Sequence, residues 1–522
     1  MNRLRNNFIS LPFINLVRDI SEKLQIKIYL VGGIIRDMIM NESLQIALFP
    51  ANKKQIIDMD FVVTGDALSF GRKVGDAIRG SYFPLDEGRS VSRVVIKKQE
   101  VRGKPAPASN KQGEQGEEEE IILDFSKMRG ENIVDDLKVR DFTINSIAVS
   151  LDDLVSCEEI NLIDPTDGAG DIGRKIIRTY DKRVLDDDPL RMLRAVRFES
   201  QLGFVMDNSL ETFIKGNGYK VRNSSGERIR EEFFIILSRN GTYRYIQRLK
   251  DLYLLKEIIP EIESMENFEQ GRFHKYLLWE HSLNTLRNLE MLMENLYRIF
   301  PDRYLQIGDI LSEELEHGIN CRGILKLAAL IHDTGKVQTR ITDENGEVRF
   351  INHENISADN GERLAQRLKI GNRACRIMGS IIKNHMRPLL LSREKKVTNR
   401  AILRFFTECR KAGVLICLMS IADIHATMGS GIFDDLSGDI EGLIKRMLEF
   451  YFEDFIKMIN SPLVSGDEII ERLGLKSGPE IGEILKNIEE WRAEGIISNK
   501  DEAINYLKFH RNLYHNFIPD NA

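Results

Sequence analysis

The chain has 522 residues, of which 42% are hydrophobic and 30% charged, and its formal net charge is −6. This length exceeds what one hydrophobic core supports, so we expect several domains. No apolar run approaches the roughly 18 residues that cross a bilayer, and the N-terminal residues lack the pattern of a secretory signal. We therefore expect a cytoplasmic protein that does not enter a membrane. Because the net charge is acidic, a nucleic-acid partner would need a local basic surface.

The first part of the sequence predicts strands, and the later part predicts helices. Residues 26–31 predict a strand that enters a glycine turn, with a helix after it, and FVVTG, VSRVVIKK and IILDFSKM predict further strands. Residues 101–120 are polar and of low complexity, which indicates a disordered insert between two strands. From Asp186 onward, apolar residues recur at helical spacing, so we expect helices to the end of the chain.

Residue types that bind metals are unevenly distributed along the chain. The five cysteines form no CxxC pair, which argues against a structural zinc site and predicts buried thiols. All nine histidines lie between His274 and His515. The first half offers Asp, Arg and Gly, which suit phosphate and magnesium, whereas the second offers His and Asp, which suit transition metals. We therefore predict a domain boundary near residue 265.

The sequence DMDFVV places two carboxylates on one side of a strand. Asp58 and Asp60 are separated by one residue, and their mutual repulsion is relieved if magnesium binds between them and holds a nucleotide triphosphate. Asp124, in a later strand, is a candidate third carboxylate that would take a proton or complete the metal shell. The alternative is that all three are ordinary aspartates at strand ends.

A glycine pair precedes the first helix. Gly32 and Gly33 allow close approach of the backbone at a helix N-terminus, which favours phosphate, and Arg36 would add a cation. A tight turn between strand and helix explains the glycines equally well.

The segment DDPLRMLRAVRF predicts a helix that could read a base. Asp188 and Arg191 are three residues apart and would share a face, with Arg194 also on it. A carboxylate accepts from an exocyclic amine and a guanidinium donates to the neighbouring ring nitrogen, a pattern that fits C and A and rejects U and G. A surface ion pair is the alternative for an isolated segment of this kind.

Six motifs in order resemble the class II tRNA nucleotidyltransferase and bacterial poly(A) polymerase family over residues 25 to 260. They are LVGGIIRD, DMDFVV, VRDFTINSIA, LIDPTDGAGDI, DDPLRMLRAVRF and ERIREEF. The resemblance implies catalytic Mg²⁺ at Asp58 and Asp60, triphosphate at Gly33 and Arg36, and ribose at Arg140 and Asp141. It also implies a protein-side template that selects CTP and then ATP. The family usually has two arginines before that aspartate, whereas this chain has Val139 and Arg140.

The second half carries an ordered set of histidines and aspartates. The order resembles the HD phosphohydrolase superfamily and suits a metal site, with zinc, manganese, iron or nickel as candidate ions. The alternative is an HD fold that has lost its metal and serves as a helical body. The predicted ligands are His281, His332, Asp333, His353, His385 and Asp423.

We therefore expect a multidomain α+β protein with four parts. These are a nucleotidyltransferase head with a mixed sheet (1–155), a helical neck with the template helix (156–265), an HD domain (266–430) and a helical tail (431–522). The expected reaction is Mg²⁺-dependent addition of CMP and AMP, from CTP and ATP, to the 3′ end of tRNA. The alternatives are a poly(A) polymerase, an enzyme that adds only CC or only A, an HD phosphohydrolase with a nucleotide-sensing head, and a non-catalytic RNA-binding protein.

One basic segment in the second half predicts either a solvated helix face or a track for the tRNA backbone. Its cations are Arg393, Lys395, Lys396, Arg400, Arg404, Arg410 and Lys411.

Overall fold

The computed structural model describes residues 11–40, 56–97, 120–156, 160–271, 275–429 and 439–509. The chain divides into two compact units, Met1–Asn223 and Ser224–Ala522. The finer division into four parts stays a prediction, and the boundary between the two units falls inside the predicted neck. The low-complexity insert lies outside the described residues, apart from Glu120.

The first unit is built on a six-stranded mixed sheet with the order β3-β4-β5-β2-β1-β6. Strands β2 and β5 are parallel, and the other neighbours are antiparallel. The mixed sheet confirms the predicted fold class of the head, although β3 and β6 were not predicted from the sequence. The strands are β1 (Ile28–Val31), β2 (Ile56–Val63), β3 (Ser81–Asp86), β4 (Val91–Lys97), β5 (Glu120–Lys127) and β6 (Ala148–Ser150).

One face of this sheet is covered and the other carries polar groups. Met59, Phe61, Leu123 and Phe125 alternate with the aspartates of β2 and β5 and are fully buried. The rings of Phe61 and Phe125 stack with centroids 5.3 Å apart, and Phe70 packs edge-on against Phe125 from a helix. Because side chains alternate along a strand, this packing directs the aspartates to the opposite face.

Helices pack against the sheet and complete the first unit. The helix that bears Phe70 begins after Asp66, whose carboxylate accepts hydrogen bonds from the backbone N–H groups of Leu68 and Ser69. The helices of this unit are Pro12–Leu24, Gly33–Met40, Ala67–Ile78, Ile133–Lys138, Leu151–Ser156, Gly168–Arg174, Arg183–Asp187, Leu190–Leu202 and Asn208–Asn217, with 3₁₀ turns at Thr143–Asn145 and Gly218–Asn223.

The second unit is mainly helical. One turn, Tyr451–Phe455, is a π-helix. The other helices are Gly226–Leu237, Thr242–Asp251, Leu255–Ile258, Ile262–Met265, Leu278–Glu294, Leu296–Ile299, Tyr304–Ser312, Cys321–Ile331, Lys336–Thr339, His353–Arg367, Asn372–Asn384, Arg387–Ser392, Asn399–Cys409, Ala412–Met428, Asp439–Phe450, Ile456–Asn460, Gly466–Leu473, Pro479–Ala493 and Lys500–Phe509.

The prediction of an uninterrupted helical chain after Asp186 is wrong at several short strands. In the first unit, β8 (Val205–Met206) pairs with β7 (Ile176–Ile177), which lies before Asp186. In the second, β9 (Glu314–Glu316) pairs with β10 (Ile319–Asn320), and β11 (Arg340–Thr342) pairs with β12 (Val348–Phe350). Gly318 and Gly346 lie in the two connecting turns with positive φ, which glycine adopts at no steric cost.

A buried ion pair ties three helices of the second unit together. Lys326 is 1% exposed, and its Nζ lies 2.7 Å from Glu290 Oε1. The two oxygens of Glu290 also accept hydrogen bonds from the backbone N–H groups of Thr242 and Tyr243, at the start of a third helix. Since each charge is paired and hydrogen-bonded, the network fixes these helices without an unpaired buried charge.

The described residues contain no single helix that is long and apolar enough to cross a membrane. The pair Asn399–Cys409 and Ala412–Met428 has the necessary length and composition only when joined across a bend of 110°. The prediction of buried thiols is confirmed for Cys321, Cys409 and Cys417, whereas Cys375 is only partly buried and Cys157 is not described.

Candidate functional site

Three carboxylates meet on the open face of the first unit's sheet. The strand register pairs Asp60 with Asp124, and Asp58 lies two residues before Asp60 on the same face. One oxygen from each of Asp58, Asp60 and Asp124 lies within 4.8 Å of the others. The predicted convergence of these side chains is confirmed, and their catalytic and metal-binding roles stay predictions.

The electrostatics of this cluster favour a bound cation. Desolvation by the surrounding protein, followed by repulsion from Asp58, raises the pKa of Asp60 to about 6. Desolvation and repulsion from Asp124 also raise the pKa of Asp58. Oxygen-only ligands that repel one another are the donor set that magnesium prefers, so these residues fit that ion.

The glycine turn approaches this cluster directly. Gly32 has φ +80°, and a Cβ added there would lie 3.0 Å from Asp60 Oδ2. Gly33 opens the following helix, as predicted, and Arg36 lies in its first turns. However, Arg36 donates to Asp37 Oδ1 at 2.8 Å and to Asn145 Oδ1 at 2.9 Å, so its guanidinium is held by protein partners.

The predicted ribose pair has local partners. Arg140 Nε donates to Asp136 Oδ2 at 3.0 Å, and Arg129 donates to the other oxygen of the same buried carboxylate. Asp141 is buried, and Arg194 lies 2.7 Å from its Oδ2. Burial raises the pKa of Asp141, but Arg194 and then Arg191 lower it more strongly, so this carboxylate stays charged.

The prediction that Asp188 and Arg191 share a helix is wrong. The helix that carries Arg191 runs from Leu190 to Leu202, and Asp188 precedes it with φ −140° and ψ 91°. The reason is Pro189, because a proline pushes the residue before it out of the helical region. The two side chains nevertheless line one cavity of about 610 Å³.

This cavity adjoins the carboxylate cluster. Val91 and Ser126 are among its lining residues and lie two positions from Arg93 and Asp124, on the same strands and the same face. Arg89, Lys127 and Arg129 also line it. The sequence analysis missed these cations, and the one signal for them is Lys127, a charged residue near the end of the predicted strand IILDFSKM.

A second cluster lies in the second unit, where five helices contribute buried histidines and aspartates. His281 Nε2 lies 2.9 Å from Asp423 Oδ1 and 3.4 Å from Asp333 Oδ2. His332 Nε2 lies 3.2 Å from Asp333 Oδ2, and His353 Nε2 lies 3.1 Å from Asp333 Oδ1. His385 Nε2 lies 3.7 Å from Asp333 Oδ1. All six predicted ligands therefore converge.

The backbone orients three of these imidazole rings. In His332, His353 and His385, Nδ1 lies 2.7 to 3.0 Å from the carbonyl oxygen of the residue three positions earlier. When Nδ1 donates to that carbonyl, Nε2 is left as the ligand atom and points into the cluster. Each of these Nε2 atoms is buried and faces a carboxylate oxygen of Asp333. The donor set therefore fits a transition metal.

Charges within this cluster are strongly coupled. Burial lowers the pKa of His332, but attraction to Asp333 and Asp423 raises it to about 10. Burial and the neighbouring His332 lower the pKa of His385 to about 4. Lys336 lies 2.6 Å from Asp333 Oδ2 and donates to Gln270 Oε1. A bound metal ion would take the place of the proton that the two aspartates attract.

Part of the predicted basic surface is neutralised by protein carboxylates. Arg400 and Arg404 both pair with Glu490, whose side chain is 2% exposed, and Lys411 pairs with Glu313. These cations pin neighbouring segments of the second unit. Five cations of the segment are exposed, of which Arg404 pairs with Glu490; the other four are Arg393, Lys395, Lys396 and Arg410.

Three family profiles match the chain in order. Residues 28–178 match the poly A polymerase head domain, and residues 203–266 match the probable RNA and SrmB-binding site of polymerase A. Residues 278–423 match the HD domain. Families of the first and third kinds depend on metal ions, which agrees with the two clusters described above.

Similar proteins match along nearly the whole chain. The A-adding tRNA nucleotidyltransferase of Deinococcus radiodurans is 26% identical over 480 residues, 91% of this chain and 93% of that protein. The CC-adding tRNA nucleotidyltransferase of Geobacter sulfurreducens is 26% identical over 501 residues, 96% of each chain. Among solved structures, the Thermotoga maritima CCA-adding enzyme complexed with tRNA_CCA matches with a TM-score of 0.57 and 19% identity, over 95% of this chain and 94% of that one. This last likeness shows a shared fold.

We expect the histidine cluster to retain a transition metal. After equilibration with Mn²⁺ or Ni²⁺ and removal of free ions, elemental analysis should find metal bound to the wild-type protein. The double variant His332→Ala/Asp333→Ala should lose it, because this change removes two ligands. A matched control is His317→Ala, which removes an exposed histidine outside the cluster. Equal metal contents in the wild-type protein and the double variant would show that the cluster is a metal-free helical core.

Proposed function

We propose, because the chain belongs to the tRNA nucleotidyltransferase and poly(A) polymerase family, that it adds CMP and AMP from CTP and ATP to the 3′ end of tRNA. It is a nucleotidyltransferase, and the reaction releases pyrophosphate. The main support for this proposal is that the carboxylate cluster lies next to the cavity lined by Asp188 and Arg191. One region of the first unit thus combines a magnesium-type ligand set with a pair that can read a base.

Asp58 and Asp60 would hold magnesium, and Asp124 would complete the ligand set or accept the proton of the attacking 3′-hydroxyl. Magnesium bound there would stabilise negative charge on the attacking and leaving oxygens of an in-line displacement. The glycine turn at Gly32 brings the backbone to Asp60 and leaves the following helix N-terminus available to phosphate.

The cavity would bind the nucleotide by charge and by hydrogen bonds. Lys127 and Arg89 bring positive charge to its wall, which complements a triphosphate. Asp188 would accept from the exocyclic amine of C or A, and Arg191 would donate to the adjacent ring nitrogen. Buried Asp141 pairs with Arg194, which lies three residues after Arg191 on the same helix.

A tRNA substrate agrees with the cytoplasmic location that the sequence predicts. The exposed cations Arg393, Lys395, Lys396 and Arg410 are the part of the basic segment that would contact the tRNA backbone. Arg400 and Arg404 are less suited to that role because both pair with Glu490.

Two further functions are each favoured by one observation. Addition of only CC or only A is favoured because proteins with those names match more than nine tenths of this chain. A separate metal-dependent phosphohydrolase activity is favoured by the buried histidine cluster, with Mn²⁺, Ni²⁺, Fe²⁺ or Zn²⁺ as candidate ions.

The reaction is tested with three tRNAs: one that lacks the terminal CCA, one that ends in CC and one that ends in CCA. Each is incubated with Mg²⁺ and with CTP, ATP or UTP separately. We expect wild-type protein to extend the first with CTP and the second with ATP, and to stop there. Extension of only one of these tRNAs would assign a CC-only or A-only enzyme, and continued addition of A would assign a poly(A) polymerase.

Asp58→Ala and Asp60→Ala should abolish incorporation, whereas Asp76→Ala, an exposed control in the same unit, should retain it. Near-wild-type incorporation by either of the first two variants would contradict the magnesium assignment.

The base-reading pair is tested by the ratio of kcat/KM for CTP over that for UTP. Asp188→Ala and Arg191→Ala should each lower this ratio by about 5- to 150-fold, because loss of one buried hydrogen bond costs about 1 to 3 kcal/mol. Since both residues act on one base edge, the double variant should be less than additive. Asp186→Ala is the control, because its carboxylate pairs with Lys220. An unchanged ratio in both single variants would mean that the base is read elsewhere.

A further inference from the structure

Arg93 forms a bidentate ion pair with Asp124, the third carboxylate of the proposed metal site. Its Nε donates to Asp124 Oδ1 at 2.8 Å, and its Nη2 donates to Asp124 Oδ2 at 2.7 Å. The Asp124 side chain is 16% exposed and that of Arg93 35%, so water screens this pair only in part. Two parallel bonds of this kind fix the orientation of the carboxylate as well as its position.

The sheet itself places Arg93 beside the cluster. The register pairs Arg93 of β4 with Asp124 of β5, and Asp124 with Asp60 of β2. These three side chains therefore form a row across neighbouring strands, on the same face as Asp58. Arg93 thus supplies one positive charge to a group of three carboxylates and occupies both oxygens of one of them.

A divalent cation at this cluster would compete with Arg93 for the carboxylate oxygens of Asp124. It is repelled by the guanidinium charge, and it must share or displace the bonds that Arg93 makes to Asp124. A nucleotide triphosphate brings additional negative charge and oxygen ligands to the same place, so it offsets that repulsion. Metal binding would then depend on the nucleotide more strongly than it would at three carboxylates with no arginine beside them.

We propose that Arg93 is a positioning residue that fixes Asp124 and weakens divalent-cation binding by the Asp58, Asp60 and Asp124 cluster until a nucleotide is bound. This inference rests on the proposed nucleotidyl transfer. It makes Arg93 responsible for coupling metal binding to nucleotide binding. A purely structural cross-strand pair would stabilise the sheet but would have no such effect on metal affinity.

The test measures Mn²⁺ binding, and the electron paramagnetic resonance signal of free Mn²⁺ is the readout. All proteins carry His332→Ala/Asp333→Ala, so that the histidine cluster does not contribute. Arg93→Gln removes the charge and the paired bonds, and Arg93→Lys keeps the charge. Arg72→Gln removes an exposed cation that lies over the Tyr82 ring, in the same unit. Each protein is titrated alone and with α,β-methylene CTP, and its thermal melting is recorded.

Without nucleotide, Arg93→Gln should bind Mn²⁺ about tenfold more tightly than the parent protein, since one nearby positive charge is removed. With the CTP analogue this difference should shrink. Arg93→Lys and Arg72→Gln should stay close to the parent protein in the absence of nucleotide. Adding Asp124→Asn should reduce the effect of Arg93→Gln to the direct charge repulsion, because the rest of the effect depends on the bonds between Arg93 and Asp124.

Mn²⁺ affinity that is unchanged or weaker in folded Arg93→Gln would overturn the inference, and a lower melting temperature alone would leave Arg93 with a structural role. In that case nucleotide-dependent Mn²⁺ binding by the parent protein, lost in Asp58→Ala, would still support the proposed function. If the parent protein binds no Mn²⁺ at Asp58 even with the CTP analogue, the metal site of the proposed function fails, and the inference about Arg93 fails with it.

Discussion

The register of three neighbouring strands is the constraint on which the proposed catalytic site depends. Pairing of β2 with β5 places Asp60 beside Asp124, and pairing of β5 with β4 places Asp124 beside Arg93. Alternation brings Asp58 to the same face and buries Phe61 on the other. A slip of one residue would turn the carboxylates into the core and expose the phenylalanines. The packing that stabilises the sheet therefore also holds the cluster together.

The second unit assembles its cluster by different means. Its ligands come from separate helices, and backbone carbonyls orient the rings of His332, His353 and His385. A strand presents a ligand at every second residue, whereas a helix end presents one ring whose second nitrogen is held by the preceding turn. The two arrangements suit different ions: carboxylate oxygens favour magnesium, and imidazole with aspartate favours transition metals.

Sequence patterns predicted ligand sets better than they predicted contacts between distant segments. Spacing alone placed Asp58 and Asp60 on one face, because alternation is a local property of a strand. Pro189 excludes Asp188 from the helix that carries Arg191, so regular helical spacing does not relate these two residues. The bidentate ion pair between Arg93 and Asp124 depends on strand register. The ion pair between Arg404 and Glu490 joins residues 86 positions apart. Neither contact leaves a periodic signal in the sequence.

The most direct measurement of the central claim is anomalous diffraction from crystals grown with Mn²⁺ and a non-reactive CTP analogue. The account predicts anomalous peaks at Asp58 and Asp60, with the cytosine edge facing Asp188 and Arg191. The histidine cluster would give separate peaks in the second unit and does not bear on this result. An ordered CTP analogue elsewhere in the molecule, with no manganese at Asp58 and Asp60, would contradict the account.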